Sequence, residues 1–339
     1  MIKDILKELC ALPGVSGTED AVRTYIRERA EKYAEVVTED AMGNLLLRVR
    51  GGRAPREKIL LAAHMDEVGI IVTEITEEGY LHFDFVGGVD RRVAIGKRVL
   101  LGERGIPGVI ALKAVHLLEE GEAKKVPPTK SLYVDIGCRS REEAEQLVSL
   151  GDTGTFDDHI AEFGSGFLRA KAIDDRIGCS VMLALMEEGL PVDTWFAFTV
   201  QEEVGCRGAA AAAIRLRPEI ALILEGTTAA DLPSQKGNQR VCAPGLGPVI
   251  PFMDGGSIYD RGLYRQLTAL AEEKGIPWQT KTWISGGTDA SSIQKAAAGA
   301  RVAAVSAAVR YIHSPSCVGN TADFENICRL VRAFWRHYR

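Results

Sequence analysis

The 339-residue sequence contains no Cys-x-x-Cys pair, and its seven cysteines (Cys10, Cys138, Cys179, Cys206, Cys242, Cys317 and Cys328) are scattered and odd in number. That pattern argues against a disulfide frame or a structural zinc site. It suits reduced thiols, so a cytoplasmic location is expected. No stretch approaches the roughly eighteen uninterrupted apolar residues of a membrane span. The alanine run from Ala209 to Ala213 is short and flanked by arginine. Met1 to Leu9 spaces its apolar residues like an amphipathic helix, which is not the pattern of a secretory signal. The net charge of −5 is modest and gives no reason to expect nucleic acid or an anionic membrane as a partner. Aromatic residues make up only 6% of the chain, leaving few platforms on which a sugar ring would stack.

The sequence does have 46% apolar and 26% charged residues, an ordinary globular balance with little room for long disorder. Its length suits one large domain plus a smaller one. A first helix is expected to end before Pro13-Gly14, and a second to start near Ser16 to Glu19 and bury Val22, Tyr25 and Ile26. Val36-Val37 and Leu45 to Leu47, separated by Gly43-Asn44, read as paired strands. From about Gly69 to Gly164, short apolar runs are punctuated by glycine, as in a small β-barrel or sandwich, with one helix over Arg141 to Leu150. Helix and strand then alternate. Helices are expected over Arg176 to Glu187, Gly208 to Leu216, Tyr259 to Glu273, Ser291 to Ala298 and Ala322 to His337. Strands are expected over Thr194 to Val200, Ile220 to Leu224 and Gln279 to Ile284. The fold class is α/β, with a β insertion.

Four apolar runs end in residues that bind metals. Ile59 to Ala63 leads to His64-Met65-Asp66, Trp195 to Val200 to Glu202-Glu203, Ile220 to Leu224 to Glu225, and Val302 to Val309 to Tyr311-Ile312-His313. In open α/β sheets the site lies outside the carboxyl ends of the strands, so this repetition points to a hydrolase with a metal centre. His64 and Asp66 would share a face of an extended strand, with Asp66 orienting the imidazole. Of Asp174-Asp175, the first could give one oxygen to each of two ions, while the second could be a helix N-cap only. Arg176 would pair with a neighbouring acid or lie at a subunit contact. On an extended backbone Glu202 and Glu203 would face different partners, one a metal and the other a proton. The Gly286-Gly287-Thr288-Asp289 segment would either line the cleft or form a turn and cap. His82, His116, His159 and His337 lack such company and read as surface or core histidines.

Taken together, His64-x-Asp66, Asp174-Asp175-Arg176, Glu202-Glu203, Glu225 and His313, set in Ala-His-Met-Asp-Glu-Val-Gly, Gln-Glu-Glu-Val-Gly and Tyr-Ile-His-Ser-Pro, resemble the M42 metallo-aminopeptidases over essentially the whole chain. These are the tetrahedral and glutamyl aminopeptidases, some of which are labelled endoglucanases. The resemblance implies a three-layer αβα peptidase domain over 1–68 and 165–339, with a β-barrel used in assembly inserted at 69–164. It implies two divalent ions per subunit, zinc or cobalt first and manganese next. His64 and Glu225 would hold one ion and Glu203 and His313 the other, with Asp174 between them. Glu202 would be the general acid/base and Asp66 would support His64. The family commonly has Asp where this chain has Glu225. Short peptides as substrates and a homo-oligomer, notably a dodecamer, are implied as well.

Two other readings compete with this one. Glu202 and Glu203 could be the carboxylate pair of an endoglucanase-type glycosidase, although a retaining pair must face one sugar about 5 to 5.5 Å apart and adjacent strand residues face apart. An oligomeric scaffold with a structural metal would instead need the cysteine-rich, closed site that this chain lacks.

Overall fold

The computed structural model describes residues 1–157 and 159–338. Its centre is a six-stranded sheet in the order Val36–Glu39, Leu45–Val49, Thr194–Thr199, Ile59–His64, Ile220–Thr228, Arg301–Val309. The first two strands form an antiparallel edge, and the last four run parallel. Parallel strands need helices on both faces, and their sequences are therefore continuous apolar runs. Ile59–His64 is buried at all six positions. Side chains alternate between two cores. Leu61 and Leu222 meet the long helices on one face, and Leu60 and Ala221 meet the alanine-rich helix Arg207–Leu216 on the other. The result is a three-layer αβα domain.

Helix Ile173–Glu188 runs through the larger core, buried from Ile173 to Met186, and packs against Ile2–Ala11 and Thr321–His337. The amphipathic spacing at the N-terminus becomes a helix that buries Ile2, Ile5, Leu6, Leu9 and Cys10. Burying one Leu or Ile is worth roughly 1.5–3 kcal/mol, several times any difference in helix propensity, so packing holds this helix in place. The last helix is capped by Asn320, whose side chain accepts the Ala322 N–H at 2.9 Å.

The insertion is a closed barrel in the order Gly69–Ile75, Leu81–Val86, Leu132–Asp135, Ile106–Leu112, Arg98–Leu101, Thr153–Phe156, with its own apolar core. Its last strand ends at Phe156. Ala161–Phe163, just inside the expected boundary at 164, pairs with Phe167–Ala170, which in turn pairs with Cys317–Asn320 in a separate three-stranded sheet. The barrel leaves the αβα domain at Gly69, where a Cβ would come within 2.6 Å of the Gly154 carbonyl oxygen. Beside this junction Glu67, Lys171 and Arg176 are buried together. Glu67 accepts from Lys171 Nζ at 2.7 Å, from Gly14 N–H at 3.0 Å and from the Thr155 hydroxyl of the barrel at 3.0 Å. Arg176 is fully buried, donating to the carbonyls of Leu9 and Met65, so of its two expected roles it takes the acid neighbour and not an exposed contact.

Four expectations are corrected. Gln279 to Ile284 is no strand: only Gln279 makes a bridge, to Val249, and the segment is held by Lys281 Nζ donating to Ser285 O and by Thr282 N–H donating to Val241 O. The helices expected at Arg141 to Leu150 and Ser291 to Ala298 shorten to Arg141–Glu145 and Ala290–Ile293. Glu202 and Glu203 do not extend a strand. Thr194–Thr199 has ended, Gln201 has a φ of 56°, and the glutamates lie in a turn closed by Gly205 and Cys206 N–H bonding back to Glu202 O.

Candidate metal centre

His64 is the last residue of its strand. Its Nδ1 lies 3.1 Å from the Asp66 carbonyl oxygen and 3.4 Å from the Asp66 carboxylate, which leaves Nε2 facing the acids. Asp175 fixes the same residue from the other side, accepting the His64 backbone N–H at 3.1 Å and the Gly178 N–H at 2.9 Å. It is therefore more than a cap. His313 follows strand Arg301–Val309 in a turn, at a φ of 57°. Its Nδ1 faces Gly88, in the loop after barrel strand Leu81–Val86, where a Cβ would stand 3.3 Å from that nitrogen. Both imidazoles thus present Nε2 inward, and at His64 the second nitrogen is held, as metal-binding histidines require.

The acids meet them. Asp174 stands with Oδ1 3.5 Å from His64 Nε2 and Oδ2 3.5 Å from His313 Nε2. Glu225 lies 3.2 Å from His64 Nε2, and Glu203 lies 3.1 Å from His313 Nε2. Glu225 sits within Ile220–Thr228, a strand that continues past the expected end at Leu224. The next residue must be glycine, because a Cβ on Gly226 would stand 2.8 Å from Asp174. Despite this proximity, His64 Nε2 and Glu225 Oε2 are buried with no hydrogen-bond partner. Native interiors seldom leave such atoms unmatched, so the side chains are aimed at a shared point rather than at each other.

Electrostatics point the same way. Burial and the neighbouring Asp174 charge push the Glu203 carboxyl up to about 8. Burial, then Asp175, raises Glu225 well above the ordinary range. Burial opposes charge on Asp174, but the His313 and His64 imidazoles, each 3.5 Å away, hold its carboxyl far below that range. Burial opposes charge on His313, but its hydrogen bond with Asp174 and the Glu203 charge lift it to about 9. Without a cation, then, the cluster retains protons on groups that a divalent ion needs bare. These donors, nitrogen and oxygen only, fit a divalent metal.

Glu202 stands apart from both imidazole–acid pairs. Its Oε1 accepts from the Cys206 thiol at 3.2 Å, and burial raises its carboxyl above the ordinary range. The Asp66 carboxylate accepts the backbone N–H of Glu202 at 2.9 Å and of Glu203 at 3.1 Å, and also the Ser16 hydroxyl. Asp66 thus reaches no metal-facing atom and holds the parts that do. In front of the cluster is a cavity of about 410 Å³, walled by Glu202, Thr227, Asp254, Lys281 and Gly286 to Thr288. Asp289 lies behind this wall, 1% exposed.

The profile of a family described as M42 glutamyl aminopeptidase matches residues 43–330. The chain belongs to the M42 peptidase family. A lysyl aminopeptidase of Pyrococcus furiosus is 31% identical over 97% of this chain and 95% of its own length. The crystal structure of a TET aminopeptidase from a marine-sediment Thaumarchaeota archaeon superposes with a TM-score of 0.94 at 34% identity, over 99% of this chain and 96% of that one. A Pyrococcus horikoshii TET1 peptidase, described as able to assemble into a tetrahedron or a large octahedral shell, is 34% identical with a TM-score of 0.86 over 99% of both chains.

Membership of M42 makes the chain a peptide hydrolase of a metal-dependent family. The glycosidase reading loses its ground, since Glu203 faces His313 and Glu202 does not share that partner. Among residues at the M42 centre, sequence reasoning did not find Gly88, which carries no side chain, or Lys281, which stood in an expected strand. His82, His116, His159 and His337 stay outside the cluster. No helix among the described residues is long and apolar enough to cross a membrane.

Protons held on Glu203, Glu225 and the imidazoles must leave when a divalent ion enters. Affinity for Zn²⁺ or Co²⁺ should therefore climb as pH rises from 6 toward the values of about 8 and 9 for Glu203 and His313. Calorimetric binding heats should vary with the buffer's ionisation enthalpy. Heats and affinities indifferent to buffer and pH would rule out a protonated cluster.

Proposed function

We propose that the chain is a cytoplasmic aminopeptidase that uses two divalent ions, zinc or cobalt in preference to manganese, to remove N-terminal residues from short peptides. One observation carries this reading: Asp174 offers one oxygen toward each imidazole, and each imidazole has its own glutamate. His64 with Glu225 would hold one ion, His313 with Glu203 the other, and Asp174 would join them. Bound there, the ions supply Lewis-acid polarisation of the scissile carbonyl and a nucleophile at neutral pH.

The remaining work falls to the chain. Glu202 takes the proton of the attacking water and delivers it to the leaving amine, a role suited to a carboxyl whose affinity for protons is raised by burial. Asp66 keeps Glu202 and Glu203 at fixed places by holding their backbone. Glu202→Gln should keep the bound metal, measured by elemental analysis, and lose roughly 10²–10⁴-fold in kcat. A metal-loaded variant with full turnover would exclude Glu202 as the proton carrier.

The cavity supports a preference for acidic N-terminal side chains. Lys281, about 8% exposed, is the one ammonium among the described residues of its wall, while the nearby Asp254 carboxylate is already engaged by Gly256 N–H, Ser257 N–H and the Tyr259 hydroxyl. This favours the glutamyl description of the family over the lysyl name of the P. furiosus relative. We expect kcat/KM to be higher for glutamyl- than for lysyl-anilides, and Lys281→Met to narrow or reverse that ratio. An unchanged ratio in the variant would remove Lys281 from recognition.

A closed homo-oligomer, a dodecamer, is supported by the assembly attributed to the P. horikoshii relative and by Val115 and Leu117 of the insertion, 79% and 59% exposed. All seven cysteines are unpaired, in keeping with a reducing compartment. Mass photometry should find a single large species near twelve chain masses, and a monomer alone would refute the assembly.

A further inference from the structure

A second group of donors lies behind Glu202. Ligand atoms of Glu202, Cys206 and Asp289 all lie within 4.8 Å of one another. A thiol beside two acids would by itself be unremarkable. The deciding observation is Asp289, which is 1% exposed: its Oδ2 accepts the Thr199 hydroxyl, but its Oδ1 is buried without any partner. Nothing in the peptidase reading uses that oxygen. Cys206 precedes helix Arg207–Leu216 and lines the cavity beside Glu202, so a cation has a path to it; burial and the neighbouring Glu202 and Asp289 charges push its thiol up, so a cation must displace that proton.

We infer that Glu202, Cys206 and Asp289 form a further divalent-cation site, distinct from the His64–His313 centre, that takes a thiophilic ion such as Zn²⁺ or Cd²⁺ when that ion is in excess. Binding replaces the Cys206 S–H bond with a sulfur–metal bond and releases the proton to solvent; nothing is oxidised or reduced. The donor set of one sulfur and two carboxylates differs from the nitrogen and oxygen set of the main centre, so softer ions prefer it more strongly than manganese or magnesium do. The consequence rests on the proposed role of Glu202. A carboxylate engaged by a cation cannot carry a proton, so occupancy of this site inhibits turnover.

The test uses the full-length, cobalt-loaded protein given additional Co²⁺. A near-ultraviolet sulfur-to-cobalt charge-transfer band should grow with the extra cobalt and be absent in Cys206→Ser. Asp289→Asn, which keeps the thiol, should weaken the extra equivalent by at least about tenfold. In parallel, excess Zn²⁺ should inhibit peptide hydrolysis by the wild type, and each variant, compared with its own zinc-limited rate, should be inhibited less. No sulfur band, or a band that persists in Cys206→Ser, overturns the site. A Cys206-dependent band without inhibition overturns the capture of Glu202. Because the band does not depend on turnover, failure of the site and failure of Glu202 as proton carrier give different results.

Discussion

The Asp66 carboxylate is the constraint on which the rest of the centre depends. It is fully buried and accepts from Ser16 and from the backbone of both Glu202 and Glu203, while His64 Nδ1 lies beside it. A buried carboxylate is costly unless its lone pairs are filled, and here each partner that fills one belongs to or adjoins the site. One charge thus ties the end of strand Ile59–His64 to the turn after Thr194–Thr199. That turn aims Glu203 at His313 and leaves Glu202 free for another task. The two glutamates face different partners because a turn separates them, and the alternation of a strand plays no part.

The barrel is placed where it can contribute to the chemistry. It leaves the peptidase domain directly after Asp66-Glu67 and returns shortly before Asp174, so both of its ends border the cluster. Its Gly88 lies against His313 Nδ1, and through Thr155 it joins the buried charges around Glu67. Removing one member of a buried charge group costs about 3–5 kcal/mol, so the junction at Glu67 and Lys171 resists hinge motion. The same insertion thus borders both the second imidazole and the buried charges around Glu67.

The residues that converge were legible in the sequence because parallel strands announce themselves as apolar runs, and the site of such a sheet lies beyond their carboxyl ends. His64, Glu225 and His313 follow from that rule, and Asp174 from its place before a long apolar helix. The rest was hidden for physical reasons. The Glu202-Glu203 turn depends on a hydrogen-bond acceptor far away in sequence, at Asp66. Asp175 has the pattern of a helix cap, and its second bond, to the His64 backbone, leaves no local signature. Lys281 lies in a segment whose apolar neighbours Trp283 and Ile284 imitate a strand, yet both are about half exposed and side-chain contacts hold the chain there.

Glu225 shows how a glutamate, one methylene longer than an aspartate, is seated at such a centre. Gly226 makes room by letting Asp174 pack against the strand backbone, where the Gly226 N–H donates to Asp174 Oδ1 at 3.2 Å. With Asp174 set back against the strand, Glu225 reaches His64 Nε2 at 3.2 Å and still leaves Oε2 without a protein partner. The longer side chain thus keeps a free oxygen directed at the cluster. Had that oxygen found a donor in the protein, it would serve only to hold the strand; left bare in a buried position, its natural partner is a cation.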